Sequence, residues 1–208
     1  MKADFHIHSC FSEDGRLRPE EIVDIARKRG LQVIAVTDHN TITGGLAAKA
    51  CAPKGLEVIV GAEILTDQGE VIGLWLSKEI QSRALKEVVR EIHEQGGKVY
   101  IPHPFDRLRK SALRDAIYHI LPEIDFIETF NGRCLFPADN VKAKAFACRY
   151  RIPELKGSDA HFAFEIGNVF PGPRAFTVAT IAHTLTVLKK YSPIGRRRKE
   201  KWKIKNSC

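Results

Sequence analysis

The chain has no apolar run approaching the roughly 20 residues a membrane-spanning helix requires, so no membrane helix is expected. Its first residues, Met1-Lys2-Ala3-Asp4, lead straight into a candidate strand and lack the apolar core of a secretory signal. Cysteine is sparse: residues 10, 51, 134, 148 and 208 form an odd, scattered set with no paired spacing. Neither a disulfide framework nor a zinc ribbon is therefore expected, and a reducing cytoplasm is the expected setting. No internal repeat or low-complexity stretch occurs before residue 189. Basic excess is also missing from most of the chain. The net charge of +8 is carried by residues 189–208, with nine Lys/Arg against Glu200, leaving 24 basic and 24 acidic side chains in residues 1–188. The body therefore gives no electrostatic footprint for nucleic acid. The tail offers one, or is simply a solvated extension.

What is present suffices for one folded domain: 208 residues, 44% hydrophobic and 28% charged. Short apolar runs alternate with helical patterns. Strands are predicted at residues 3–7, 32–36, 57–60, 98–101, 124–127, 153–156 and 175–178, and a shorter one at 71–76 follows a turn at Asp67-Gln68-Gly69 as a hairpin arm. Helices are predicted at 19–29, opened by Pro19 and closed by Gly30, and at 83–95, capped by Ser82 and ended by Gly96-Gly97. Others are expected at 42–51, 109–120, 137–150 and 180–188. Strand–helix alternation at this spacing predicts parallel strands joined by crossover helices. About seven units suggest closure into a single α/β barrel over residues 1–188, with a basic tail at 189–208.

Six segments carry candidate metal ligands, each following a predicted strand: Asp4-Phe5-His6-Ile7-His8, Thr37-Asp38-His39-Asn40, Gly61-Ala62-Glu63, Pro102-His103-Pro104, Glu128-Thr129-Phe130-Asn131 and Ser158-Asp159-Ala160-His161. Imidazole and carboxylate together suit Zn2+, Mn2+ or Fe, and no single segment could hold such an ion alone. Side chains alternate along a strand, so His6 and His8 project to one side as a two-nitrogen clamp, and the same period joins Asp159 to His161. His39 and Glu63 follow apolar strands that would carry them to a barrel mouth. His103 is held between prolines, and Asp14 lies in the loop after the first strand. Asp38 is expected to support ligands without being one, and His93, His119 and His183 fall in helical patterns away from these segments.

In this order, His6-Ile7-His8 with Ser12-Glu13-Asp14-Gly15, Thr37-Asp38-His39-Asn40, Gly61-Ala62-Glu63, Pro102-His103-Pro104 and Gly157-Ser158-Asp159-Ala160-His161 resemble the motifs of the PHP (polymerase and histidinol phosphatase) superfamily of metal-dependent phosphoesterases. The resemblance implies a distorted (β/α)7 TIM-like barrel with two or three divalent ions (Zn, Mn or Fe, with Mg also compatible) in its mouth. It implies a first ion at His6, His8, Glu63 and Asp159, a second sharing Glu63 and using His103, and a third at Asp14, His39 and His161. Where a further His or Cys ligand of the second ion is expected, this chain has Asn131, with Glu128 as the nearby alternative.

The activity so implied is hydrolysis of a phosphate ester by a hydroxide bridging the ions, with Asp159, His39 and His161 catalytic and Arg133 and Asn131 binding substrate. A neutral body favours a phosphomonoester of a small metabolite or nucleotide. The alternatives are an exonuclease acting on single-stranded ends, with nucleic acid reached through the tail, and a non-catalytic metal-binding module.

Overall fold

The computed structural model describes residues 2–170. Seven strands form one sheet in sequence order: β1 (Ala3–Ile7), β2 (Val33–Val36), β3 (Glu57–Leu65), β4 (Glu70–Leu74), β5 (Lys98–Ile101), β6 (Phe126–Asn131) and β7 (Glu154–Gly157). The sheet curls until its ends nearly meet. His8 N–H donates to the Ala160 carbonyl at 2.8 Å, and Ile7 bridges Ala160 in parallel sense. Helices α1 (Pro19–Lys28), α2 (Thr43–Ala50), α3 (Leu85–Glu94) and α4 (Pro137–Tyr150) fill the connections.

The expected barrel is therefore present, but its strands are not all parallel. β1–β2–β3 and β5–β6–β7 are parallel sets, and β4 runs antiparallel to both of its neighbours. The residues predicted as a hairpin arm pair with β3 as a hairpin and also with β5, which makes them a stave of the sheet. The chain reverses after β3 by a four-residue turn in which the Thr66 hydroxyl and N–H engage the Gly69 carbonyl. Such a turn requires antiparallel pairing. The predicted strand at 175–178, the helix at 180–188, His183 and the basic tail lie outside the described residues.

Alternation along the strands divides the core. Ile34 and Val36 of β2 pack with Ile22, Val23 and Ala26 of α1, whereas Val33 and Ala35 join Ile59, Ile72, Leu74 and Tyr100 in a cluster built from strands alone. On α3, Leu85, Val88, Val89 and Ile92 recur at helical spacing and are buried against Ile64, Val71, Val99 and Ile101. Each such side chain contributes about 1.5–3 kcal/mol on burial.

Two helix expectations change. Ser82 does not cap α3; its N–H and hydroxyl donate to Glu91, and Ala84 takes the N-cap position without a side-chain bond. The segment predicted as a helix at 109–120 is instead a kinked 3-10 stretch, Arg114–Glu123, with Pro122 inside it. Backbone groups that would start an α-helix are bonded elsewhere: the Ser111 carbonyl to Glu70 N–H and Arg114 N–H to the Pro104 carbonyl.

Candidate metal centre

The two β1 histidines project to one side, and their Nε2 atoms stand 3.0 Å apart. Each ring is oriented from behind. Nδ1 of His6 lies 3.2 Å from Glu128 Oε1, and Nδ1 of His8 lies 3.1 Å from the Ser12 hydroxyl. A ring that donates Nδ1–H to a fixed acceptor keeps its Nε2 lone pair for an ion. Ser12 in turn donates to Asp38 Oδ1 at 3.0 Å and accepts His39 N–H at 2.9 Å. Asp38 also accepts Ser9 N–H and Ser9 hydroxyl. Asp38 therefore holds the loop that holds the rings. Gly44 at the start of α2 permits this packing, because a Cβ there would fall 1.9 Å from Asp38 Oδ2.

Glu63 lies inside β3 and not just past a strand as its apolar run predicts, because pairing with β4 prolongs β3 to Leu65. It occupies the middle of the cluster. Its Oε2 is 3.4 Å from Nε2 of both His6 and His8 and 3.3 Å from His39 Nδ1, while Oε1 is 3.0 Å from His103 Nε2. Asp159 Oδ1 sits 3.7 and 3.5 Å from the same two β1 nitrogens. Asp14 Oδ2 is 3.5 Å from His39 Nε2 and 3.3 Å from His161 Nε2. Ligand atoms of His6, His8 and Asp159, of His6, Glu63 and His103, and of His8, Asp14, His39 and His161 each form a group lying within 4.8 Å of one another. All eight expected ligands are thus gathered in one place from segments up to 155 residues apart in sequence.

Backbone strain marks the same segments. Asp159, Asn40 and His103 have φ of 57°, 59° and 28°, in or near the left-handed region that costs a non-glycine residue about 1–2 kcal/mol. The neighbouring structure enforces it. Asp4 Oδ1 accepts Ser158 N–H at 2.8 Å, Glu165 Oε2 accepts His161 N–H at 2.8 Å, and Glu128 Oε2 accepts His103 N–H at 2.6 Å.

Electrostatics follow from burial of like and unlike charges together. Burial, and then the nearby His161 and His39 rings, push His8 down to about 4. Burial, and then Arg133, do the same to His161, again to about 4. For His39 burial acts in the same direction but is outweighed by Asp14, Glu63 and Glu70, which lift it to about 10. Burial alone would raise Glu63, yet His6 and His103 hold it well below the ordinary carboxylate range. Burial thus favours the neutral form of His8 and His161 that metal ligation needs, whereas an ion at His39 would have to displace the proton that Asp14, Glu63 and Glu70 favour there.

The donor set fits divalent cations. Glu63 Oε2, Glu70 Oε2 and Asp14 Oδ1 are buried oxygens that accept no well-aligned hydrogen bond, although ring nitrogens stand 3.3–3.4 Å from Glu63 Oε2. Carboxylates so placed are costly without a compensating positive charge. Imidazole nitrogens and carboxylate oxygens at mutual separations of 3.0–3.7 Å supply the ligand chemistry such ions require.

The remaining expected residues are placed differently. Asn131 is fully buried and its amide is committed to the protein: Nδ2 donates to Glu128 Oε2 and Asp159 Oδ2, and Oδ1 accepts Arg133 and Cys134 N–H. Expected to bind substrate, Asn131 here links the Glu128 and Asp159 carboxylates. Glu128, the nearby alternative to Asn131, has partners at both oxygens. Its Oε1 faces His6 and Tyr100, and its Oε2 faces His103 N–H and Asn131. A Cβ at Gly157 would strike Glu128 Oε1 at 2.3 Å. Arg133 is brought to the site, with Nη1 2.6 Å from His161 Nδ1 and Nε 3.9 Å from Glu165 Oε1. His93 pairs with Asp125 and His119 with Gln68, both away from the cluster. Sequence reasoning missed Glu70, buried at the start of β4 and 3.7 Å from His103 Nε2. Its one available signal was an acid directly preceding the apolar run Val71-Ile72.

Comparison with known proteins agrees with this arrangement. Residues 4–132 match the model of the PHP domain, and residues 137–171 match that of the PHP-associated segment. An uncharacterised protein of Methanocaldococcus jannaschii is 40% identical over 64% of this chain and 82% of its own length. A 5'-3' exoribonuclease of Haemophilus influenzae is 38% identical over 50% of this chain and 43% of its own. A 3',5'-nucleoside bisphosphate phosphatase of Chromobacterium violaceum is 40% identical over 34% and 26%. Among solved structures, a two-domain protein of Bacteroides vulgatus containing a PHP-like metal-dependent phosphoesterase superposes with a TM-score of 0.64 at 26% identity. That match covers 79% of this chain and 53% of the other. With several overlapping groups of His, Asp and Glu gathered on a seven-stranded barrel, and a family model spanning most of the described residues, the chain belongs to the PHP domain family of metal-dependent phosphoesterases.

Proposed function

We propose that the barrel mouth hydrolyses a phosphomonoester of a small metabolite or nucleotide. The observation that carries this reading is Glu63, a buried carboxylate whose two oxygens face four imidazoles from three other strand ends. His6, His8, Glu63 and Asp159 would hold a first divalent ion, Glu63 and His103 a second, and Asp14, His39 and His161 a third. Ions bound there supply Lewis-acid neutralisation of phosphate charge and ionise water near neutral pH.

The chain's own groups supply the rest. Asp159, fixed by Asn131 Nδ2, keeps a carboxylate beside the β1 rings. His39 is about one-fifth exposed at its side chain, which puts it where a leaving group would depart, with His161 across Asp14 from it. Arg133, flanked by His161 and Glu165, would donate to a phosphate oxygen as a fork. The bisphosphate phosphatase relative supports a nucleotide substrate, as does the absence of basic excess from residues 1–188. The exoribonuclease relative supports a second reading, a phosphodiesterase acting on nucleic-acid ends.

The test is hydrolysis of a chromogenic phosphomonoester beside its diester analogue, on metal-stripped protein refilled separately with Mn2+, Zn2+, Fe2+ and Mg2+. Ion-dependent monoester turnover is expected. Diester turnover alone would transfer the assignment to the nuclease reading. Bound metal without turnover of either ester, or of a nucleoside bisphosphate, would mean a non-catalytic module.

A further inference from the structure

We infer that Glu70 is a ligand of the ion held by Glu63 and His103, and that it tunes this site toward a hard ion such as Mn2+ in preference to Zn2+. The inference rests on the mouth being a metal centre. β4 runs antiparallel to β3 with Leu65 opposite Glu70 and Glu63 opposite Ile72. Period-two alternation then puts Glu63 and Glu70 on one face as diagonal neighbours. Glu70 Oε2 lies 3.7 Å from His103 Nε2, which is itself 3.0 Å from Glu63 Oε1. Ligand atoms of Glu70, Glu63 and His39 also lie within 4.8 Å of one another.

Glu70 is only 7% exposed, and neither its Oε2 nor that of Glu63 accepts a well-aligned hydrogen bond. Two buried carboxylates facing the same space, with neither oxygen accepting a hydrogen bond, are costly unless a proton or a cation neutralises them, and an ion between them supplies that charge. The residue expected to complete this ion's shell, Asn131, has its amide turned to Glu128 and Asp159. Glu70 fills that role from β4. One imidazole and two carboxylates make an oxygen-rich set, and such sets suit Mn2+ or Mg2+ better than the nitrogen- and sulfur-rich sets typical of Zn2+.

The decisive experiment is metal stoichiometry by equilibrium dialysis against Mn2+ and elemental analysis, on stripped wild type and the near-isosteric Glu70→Gln. The variant is expected to retain one equivalent fewer, with a smaller rise in melting temperature on adding Mn2+. Equal stoichiometry and equal affinity in both proteins would overturn the role of Glu70. A wild type that binds no ion would instead overturn the metal-centre reading itself. Should Glu70→Gln fail to fold, Glu70→His carries the test. It is expected to keep the stoichiometry and shift competition between equimolar Mn2+ and Zn2+ at least tenfold toward Zn2+. An unshifted preference there would also overturn the assignment.

Discussion

At the scale of single residues, the site is defined as much by what stands behind the ligands as by the ligands. Glu128 touches His6 Nδ1, Tyr100 hydroxyl, His103 N–H and Asn131 Nδ2, so one carboxylate fixes parts of two ligand segments and reaches a third through Asn131. Glu128→Gln preserves shape but removes the charge that favours Nδ1–H on His6. Metal affinity is expected to fall by roughly 10–100-fold, as is typical when a carboxylate behind a histidine ligand is lost. Titration with Mn2+ followed by calorimetry checks this, and unchanged affinity would refute the role. That these eight side chains belong together was legible in sequence from their chemical types and from the order of their motifs, which resembles that of the PHP superfamily. Glu70 and the buttressing role of Glu128 were not. Their importance comes from pairing across strands, and one-dimensional spacing carries no record of that register.

At the scale of elements, boundaries follow local chemistry more closely than ligand placement does. α4 spans Pro137–Tyr150 as its initial proline predicts, and it ends at Arg151, which is in the left-handed conformation at φ 55°. Glycine adopts that conformation without a Cβ penalty. Arg151→Gly should therefore raise stability by about 0.5 kcal/mol, read from urea midpoints, whereas Arg151→Ala should not.

Between β5 and β6, Asp125 accepts Val99 N–H and His93 Nε2 on one oxygen and Lys98 Nζ on the other. Burial acts against its ionisation, but Lys98 and His93 hold its carboxyl below the ordinary value of 3.8. A depressed carboxylate contributes stability above pH 3.8 that is lost as pH falls through the lower folded value. Asp125→Asn should thus cost about 1 kcal/mol at pH 7, with the difference from wild type closing progressively below pH 3.8. A gap independent of pH would show that charge plays no part. β4 was the element least legible in sequence. An apolar run after a turn reads as a hairpin arm whether it hangs free or closes a sheet, and only its pairing with both Leu65 and Tyr100 neighbourhoods makes it a stave.

At the scale of the whole molecule, the barrel explains why ligands so far apart in sequence can act together. Parallel strands on either side of the reversed β4 deliver their C-terminal ends to one mouth, and Asp4 ties β1 to the loop after β7 through Ser158 and Gly167. Barrel class was legible from alternation alone. The near-closure through Ile7 and Ala160 was not, because it depends on curvature accumulated over seven strands. No helix among the described residues is long and apolar enough to cross a membrane. Loading the mouth with metal should stabilise the whole chain against heat, since ions bind the folded cluster and not the separated segments.

The most direct measurement is anomalous diffraction at the manganese edge from crystals of the Mn2+-loaded protein. The account predicts a peak within about 2.0–2.3 Å of His6 Nε2, His8 Nε2, a Glu63 oxygen and an Asp159 oxygen, distances ordinary for such ligands. A loaded, hydrolytically active protein with no anomalous peak among these residues would contradict it.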